Sequence, residues 1–282
     1  MGLSGFININ KPSGMSSAYA VSKVKRIAHM PCGHMGTLDP LASGVLPVAI
    51  GNAARLFNYF LNKDKVYRAI FRFGVESDTL DSTGVILREG LPIPEAETVR
   101  SVLSEFIGEI DQIPPSYSAK SIGGVRAYKL ARQGKAVALS AKTVRVDSIS
   151  LENVCGDLFE FYISCGGGTY IRSLARDIAE KCGTCAIMES LVREKSGPFS
   201  LESSVKPDNL NETNLKDLLI PTDSVFDMPA LYFADGQAKK LANGIALPFE
   251  GDDGDYKLYF DGEFYGIANI QGGVIRTKVK LV

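Results

Sequence analysis

Residues 33–56 read GHMGTLDPLASGVLPVAIGNAARL, and three textures follow one another inside this stretch. Gly33 to Gly44 is rich in glycine and small residues and reads as a loop. VLPVAIG, Val45 to Gly51, is a short apolar run bounded by turn residues, the pattern of a buried strand. NAARLFNYFLN then reads as a helix. A loop feeding a buried strand and then a helix carries a single carboxylate, Asp39, fixed between Leu38 and Pro40. Asp39 is the only acid in the first 63 residues, a region that also holds Lys11, Lys23, Lys25, Arg26, Arg55 and Lys63.

Outward from this stretch, GFININ (Gly5 to Asn10) reads as a strand and KPSGMSS as a turn. Ser17 to Ala28 reads as a helix, with Val21, Val24 and Ile27 at helical spacing and serines placed to cap it. Asp64 to Gly74 is a strand with Tyr67, Ala69, Phe71 and Phe73 on one face. PIPEAETVRSVLSEFIG supplies a further helix, and an irregular excursion with a short helix near Tyr128 to Gln133 follows. Strands are expected at Lys142 to Val154 and Asp157 to Cys165. GGGTYIRSLARDIAEKCG is a glycine turn feeding a helix, with Thr169 as its expected N-cap. IMESLVREKSG closes the larger unit as a strand. Strands with interspersed helices in no regular βαβ order predict an α+β fold with a mixed, mainly antiparallel central sheet and flanking helices. A boundary near Ser224 to Pro229 divides a domain of residues 1–225 from a small barrel-like one of residues 226–282.

The chain has 282 residues and a formal net charge of −1, but the charge is segregated. Gln112 to Val146 holds no acid and the bases Lys120, Arg126, Lys129, Arg132, Lys135, Lys142 and Arg145. Pro207 to the end is acidic. A basic face in the first half points to a polyanionic partner. No run approaches the ~18 apolar residues of a membrane span, and the N-terminus lacks signal-peptide character, so a cytoplasmic protein is expected. Five cysteines do not make a disulfide framework. Cys182 and Cys185 form one C-x-x-C, which, with Cys32 and His34, is weak grounds for a metal; none is expected.

Pro40 pushes Asp39 toward extended geometry. A carboxylate so placed among bases stays ionised, which suits a nucleophile or charge stabiliser rather than a general acid. An Asx-type turn residue is the alternative. Arg172 and Arg176 are one helical turn apart, and either has the bidentate fork that suits a carboxylate or phosphate. Arg176 also has Asp177 and Glu180 for surface partners. Tyr67 is either core or a ring on which a flat ligand stacks. No nucleotide-cofactor fingerprint is present.

Five blocks carry a resemblance: NKPSGMSS, GHMGTLDPLASGVLPVAIGNAARL, KVYRAIFRFGVESDTLDSTG, DQIPPSYSAKSIGGVRAYKLARQG and GTYIRSLARDIAEKCG. In this order, over Asn10 to Gly183, they resemble the tRNA pseudouridine synthase B family. The resemblance implies a cofactor-free isomerase that converts uridine to pseudouridine at position 55 in the T-loop of tRNA. It implies the pseudouridine synthase fold, an RNA-clamping thumb at about 112–146 and a PUA-type C-terminal domain; a monomer is expected separately, because no strongly apolar exposed helix stands out in the sequence. By matching position, Asp39 is the catalytic aspartate, Tyr67 stacks on the target base and Arg172 pairs with Asp39. Leu191 lines the base pocket, and Lys11 and Pro12 belong to the block supporting the active-site loop. His34 contacts the T-loop. Lys11, Pro12, His34, Tyr170 and Leu191, with Lys120, Arg126, Lys129 and Arg132 of the thumb, form the implied RNA-binding set. Arg55 stands where the family often has lysine.

Three other readings stay open on sequence grounds. One is a non-catalytic tRNA-binding or folding factor. One is a nucleosidase-type hydrolase using Asp78 or Asp81 as second carboxylate. The third is the same chemistry on another RNA.

Overall fold

The computed structural model describes residues 3–117, 121–122, 125–126 and 139–282, without the side chains of 121, 122, 125, 126 and 235. A nine-stranded sheet forms its centre. In chain order the strands are β1 (Gly5–Lys11), β2 (Cys32–His34), β3 (Ser43–Ile50), β4 (Lys65–Phe73), β5 (Gly108–Gln112), β6 (Lys142–Cys155), β7 (Leu158–Cys165), β8 (Ala186–Ser196) and β9 (Phe199–Ser200). They lie in the order β1-β3-β8-β4-β7-β6-β5, with β2 on β3 and β9 on β8. The pairing is antiparallel except between β3 and β8, where Val192 meets Ser43 and Arg193 meets Gly44. The mixed, mainly antiparallel α+β sheet matches the expectation.

Alternation in β4 is strict: Lys65, Tyr67, Ala69, Phe71 and Phe73 all face inward. Phe71 packs on Phe161 and Phe73 on Phe159 at ring distances of 4.6 and 4.5 Å across the β4–β7 ladder, diagonal pairs that help fix the register. Helices α1 (Ser17–Ala28), α3 (Ala96–Val102) and α4 (Ile171–Lys181) bury Ala20, Val24, Val99, Leu174 and Ile178 in the same core. The stretch expected as one helix after β3 splits into a 3₁₀ turn, Gly51–Leu56, and a short α2, Phe57–Leu61. The loop expected from Gly33 begins one strand later, because Cys32–His34 pairs with β3.

Helix α4 is not capped by Thr169, whose hydroxyl instead donates to the Gly166 carbonyl at 3.0 Å. The N-cap position falls on Tyr170, which has no side-chain cap of its own. Buried Gln112 takes over that work: its Oε1 accepts the Tyr170 N–H at 2.8 Å and its Nε2 donates to the Tyr170 carbonyl at 3.0 Å. A long-range amide therefore positions the start of α4, and Arg172 with it.

The C-terminal part forms a separate five-stranded sheet and a helix, α5 (Asp235–Ala242). It docks on the 3₁₀ turn and α2. Asn52 and Arg55 donate to the carbonyls of Leu281 and Lys280 at 2.8 and 2.7 Å. Tyr59 donates to Asp255, which also binds Lys278, both at 2.8 Å. Phe6, Phe60 and Phe199 share an apolar cluster with Ile267 and Leu281. Arg55 thus spends a guanidinium N–H on the junction between the sheets. No described helix is long and apolar enough to cross a membrane.

Candidate active site

Asp39 lies in the connection from β2 to β3, and that connection is held from several sides. Ser17, at the start of α1, accepts the Leu38 N–H at 2.9 Å and donates to the Leu38 carbonyl at 2.7 Å. The Gly14 N–H donates to the Pro40 carbonyl at 2.8 Å. Lys11, 0% exposed, donates to the carbonyls of Met15 at 2.7 Å, Pro12 at 3.0 Å, Pro40 at 3.3 Å and Ala42. Arg193, 1% exposed, donates to the carbonyls of Val45, Thr37 and Gly36 at 2.7, 3.2 and 3.2 Å. Gly44 is required at the loop's end: its φ is +101°, and a Cβ there would sit 2.3 Å from the Arg193 carbonyl oxygen. Only glycine tolerates both conditions.

The carboxylate itself remains reachable, with the Asp39 side chain 34% exposed. Its partner comes from α4: Arg172 Nε stands 3.0 Å from Asp39 Oδ2. The Arg172 side chain is 6% exposed and is held by the carbonyls of Thr79 at 2.9 Å and Tyr117 at 3.0 Å. On its other side Nη1 faces Asp81 Oδ2 at 3.5 Å. Asp81 is buried, and its Oδ1 accepts from the hydroxyls of Thr79 and Thr83 at 2.7 and 2.6 Å. One guanidinium therefore lies between two carboxylates and is oriented by backbone, a preorganised arrangement. Arg176 takes the surface role: it pairs with Asp177 at 2.6 Å and leaves Asp39 to Arg172.

Asp39, Tyr67, Tyr170, Arg172 and Leu191 line a single cavity of about 280 Å³. Lys65 and Arg193 also face it. Burial pushes the Tyr67 phenol up to about 12, and the nearby Arg193 charge acts against that rise. Burial brings Lys65 down to about 8, with Arg193 adding to the effect. Lys11 falls to about 8, chiefly through burial, opposed by Asp39. The cavity thus combines one accessible carboxylate, the phenols of Tyr67 and Tyr170, apolar walls and nearby cations. It suits a flat polar ring beside a nucleophilic carboxylate.

Several expected contact residues lie elsewhere. Lys11 does not line the cavity: it is fully buried with its ammonium turned to four backbone carbonyls, which fits the block that supports the Asp39 loop. Its neighbour Pro12 is exposed outside the cavity lining. His34 is half-buried in β2 and does not line the cavity. Its Nδ1 is buried with no hydrogen-bond partner among the described residues, and burial, then Arg193, lowers its pKa. Lys120, Lys129 and Arg132, the side chain of Arg126 and the expected helix Tyr128–Gln133 lie outside the described residues. Cys182 and Cys185 are free thiols.

Arg193 and Lys65 escaped the sequence reading, although a signal existed. Lys65 precedes Tyr67 by two in β4, and Arg193 follows Leu191 by two in β8. A cation on the inward register of a buried strand is costly unless it has a task. Asp81 was weighed only as a second acid, whereas it braces Arg172.

Comparison with known proteins places this geometry in context. Residues 24–171 match the model of the TruB family pseudouridylate synthase N-terminal domain. The tRNA pseudouridine synthase B of Zymomonas mobilis is 45% identical over 256 residues, covering 87% of this chain and 84% of that protein. That of Francisella philomiragia is 36% identical over 286 residues, covering 99% and 95%. Among solved structures, a chain of a Cbf5-Nop10-Gar1 complex superposes with a TM-score of 0.72 at 25% identity, over 99% of this chain and 85% of that one. A chain of an H/ACA RNP bound to a substrate RNA containing 2'-deoxyuridine reaches a TM-score of 0.73 at 22% identity, with the same coverages, which speaks to the fold.

Proposed function

Because this chain belongs to the TruB family of pseudouridylate synthases, we propose that it isomerises uridine to pseudouridine at position 55 in the T-loop of tRNA, with Asp39 as its catalytic carboxylate. Its relatives of 36–45% identity are tRNA pseudouridine synthases, and tRNA is the substrate read for this chain. The observation that carries the assignment is the Arg172–Asp39 pair at 3.0 Å at a cavity walled by Tyr67 and Leu191.

The reaction cleaves the N1–C1′ bond, rotates the uracil and closes a C5–C1′ bond; the C5 proton leaves to a protein base or solvent and N1 takes up a proton, so the atoms balance. Nothing is oxidised or reduced, so a nucleophile and a proton route suffice. The target base must first leave its stack, which costs roughly a few kcal/mol. Contact with the Tyr67 ring offsets part of this, since base–aromatic stacking contributes ~1–3 kcal/mol. Arg172 donates to Asp39 at 3.0 Å and orients the carboxylate in the closed site. Attack at C1′, addition at C6 and assistance to 2′ deprotonation all start from that same carboxylate.

The remaining assignments are part of the same proposal. Residues 1–225 form the catalytic domain, with a basic thumb at about 112–146 that grips the T-arm. Residues 226–282 form a PUA-like domain, and the enzyme is a cytoplasmic monomer. Lys278 is engaged by Asp255, which leaves Lys239, Lys240, Lys257, Arg276 and Lys280 as the bases without an ion pair among the described residues there.

Tritium release from a tRNA transcript labelled at uridine C5 tests the reading. Asp39→Asn is expected to abolish release while tRNA binding is kept. Unchanged turnover in that variant, or the appearance of free uracil with wild type, would overturn it; the second outcome would identify a hydrolase.

A further inference from the structure

Arg193 combines near-complete burial with hydrogen-bond partners that are neutral groups, the carbonyls of Val45, Thr37 and Gly36 and the Tyr67 phenol. Burying a cation costs several kcal/mol unless its surroundings return it, so a guanidinium satisfied only by dipoles needs a task. The partners indicate which one. Gly36 and Thr37 enter the Asp39 loop and Val45 leaves it, so a single planar fork joins the two ends. Lys11 holds the middle of the same loop through Pro40 and Ala42. The backbone beneath Arg193 is also fixed. β8 runs parallel to β3 at Gly44 and antiparallel to β4 at Tyr67, so Arg193 stands level with both. The glycine at 44 lets the strands close onto the Arg193 carbonyl.

We propose that Arg193 is a positioning residue of the isomerisation: its guanidinium ties the entry of the Asp39 loop to its exit and so sets the carboxylate where Arg172 and the target nucleotide meet it. The proposal rests on the reading of Asp39 as the catalytic group. The ionisable groups around Arg193 are Lys11 of β1, His34 of β2, Lys65 and Tyr67 of β4, and Asp39, which lines the same cavity. Asp39 is paired with Arg172, and no carboxylate forms an ion pair with Arg193 among the described residues, so its charge is not explained as an ordinary ion pair.

Arg193→Lys and Arg193→Met test the assignment in the full-length protein, by tRNA binding, kcat and KM from tritium release, and amide exchange. Lysine keeps the charge but cannot span both ends of the loop, because an ammonium lacks the flat fork. In Arg193→Met a displacement of Asp39 by about 1 Å lowers kcat about a hundredfold. In Arg193→Lys the loss is about tenfold, and in both KM and tRNA affinity stay within about threefold. The loop amides of Met35 and Ala42, bonded to Pro47 and Asp39 at 2.8 and 3.1 Å, exchange faster while those of β4 and β7 do not. If Arg193→Met does not fold, Arg193→Lys decides by the same measurements. A kcat for Arg193→Lys within about twofold of wild type overturns the proposal. So does accelerated exchange spread evenly over the sheet, which would make Arg193 a stability residue only. Asp39→Asn run alongside separates the two readings: turnover in that variant sinks the role of Asp39 itself, whereas its loss beside a fully active Arg193→Lys sinks only the role of Arg193.

Discussion

Replacing Arg172 by methionine keeps most of the side-chain length and removes the charge and all five donors. The structure sets the cost. Asp81 loses the cation facing its Oδ2 at 3.5 Å but keeps the Thr79 and Thr83 hydroxyls and the Thr83 N–H, all on Oδ1. Breaking a buried ion pair typically costs ~3–5 kcal/mol, and these retained donors place Asp81 at the lower end, about 3 kcal/mol. The carbonyls of Thr79 and Tyr117 each lose a donor, which adds about 1 kcal/mol apiece. Asp39 is 34% exposed and recovers water, so its share is small. The sum is about 5 kcal/mol, comparable with the lower end of the ~5–15 kcal/mol that holds ordinary domains together. Because the chain has no tryptophan, urea unfolding followed by circular dichroism is the suitable assay. Arg172→Met is expected to lose about 4–5 kcal/mol and all tritium release, and Arg172→Lys to recover roughly half of the stability with little of the activity. A loss below about 1 kcal/mol in Arg172→Met would refute the idea that this guanidinium neutralises buried charge.

Two further outcomes follow from the same geometry. Gly44→Ala places a methyl 2.3 Å from the Arg193 carbonyl at a φ of +101°, so a loss of about 2–4 kcal/mol is expected in the same unfolding assay; a neutral effect would mean that β3 and β8 separate at no cost. Lys65 has its pKa lowered from 10.5 to about 8, chiefly by burial. Between those values the unfolded chain holds a proton that the folded chain has released, so stability rises with pH through this window and is level below it. Lys65→Met should flatten that rise relative to wild type when unfolding is measured across the window, and an unchanged slope would show that Lys65 does not titrate there.

The parts of this protein legible in its sequence are those governed by short-range periodicity. Alternation in β4 fixed the inward face carrying Tyr67, because side chains in a strand repeat every two residues. The isolation of Asp39 on a glycine loop was visible by composition, and the helix carrying Arg172 by its spacing. The Thr169 cap failed because Gln112, 58 residues away, supplies the hydrogen bonds at Tyr170. The burial of Lys11 was not legible for a similar reason: its partners Pro40 and Ala42 lie 29 and 31 residues away.

By itself, then, the sequence determined the α+β class, the strand and helix that carry Tyr67 and Arg172, and which carboxylate stood alone. Tertiary structure decided which cations are spent inside. Arg193 reaches Val45 across 148 residues and Arg172 reaches Thr79 across 93, while Arg55 stays exposed and donates to the Lys280 carbonyl of the C-terminal strand. A guanidinium has the same local propensity whether it meets carbonyls, a carboxylate or water. Only the packing of distant segments sets its desolvation and partners, and with them its role.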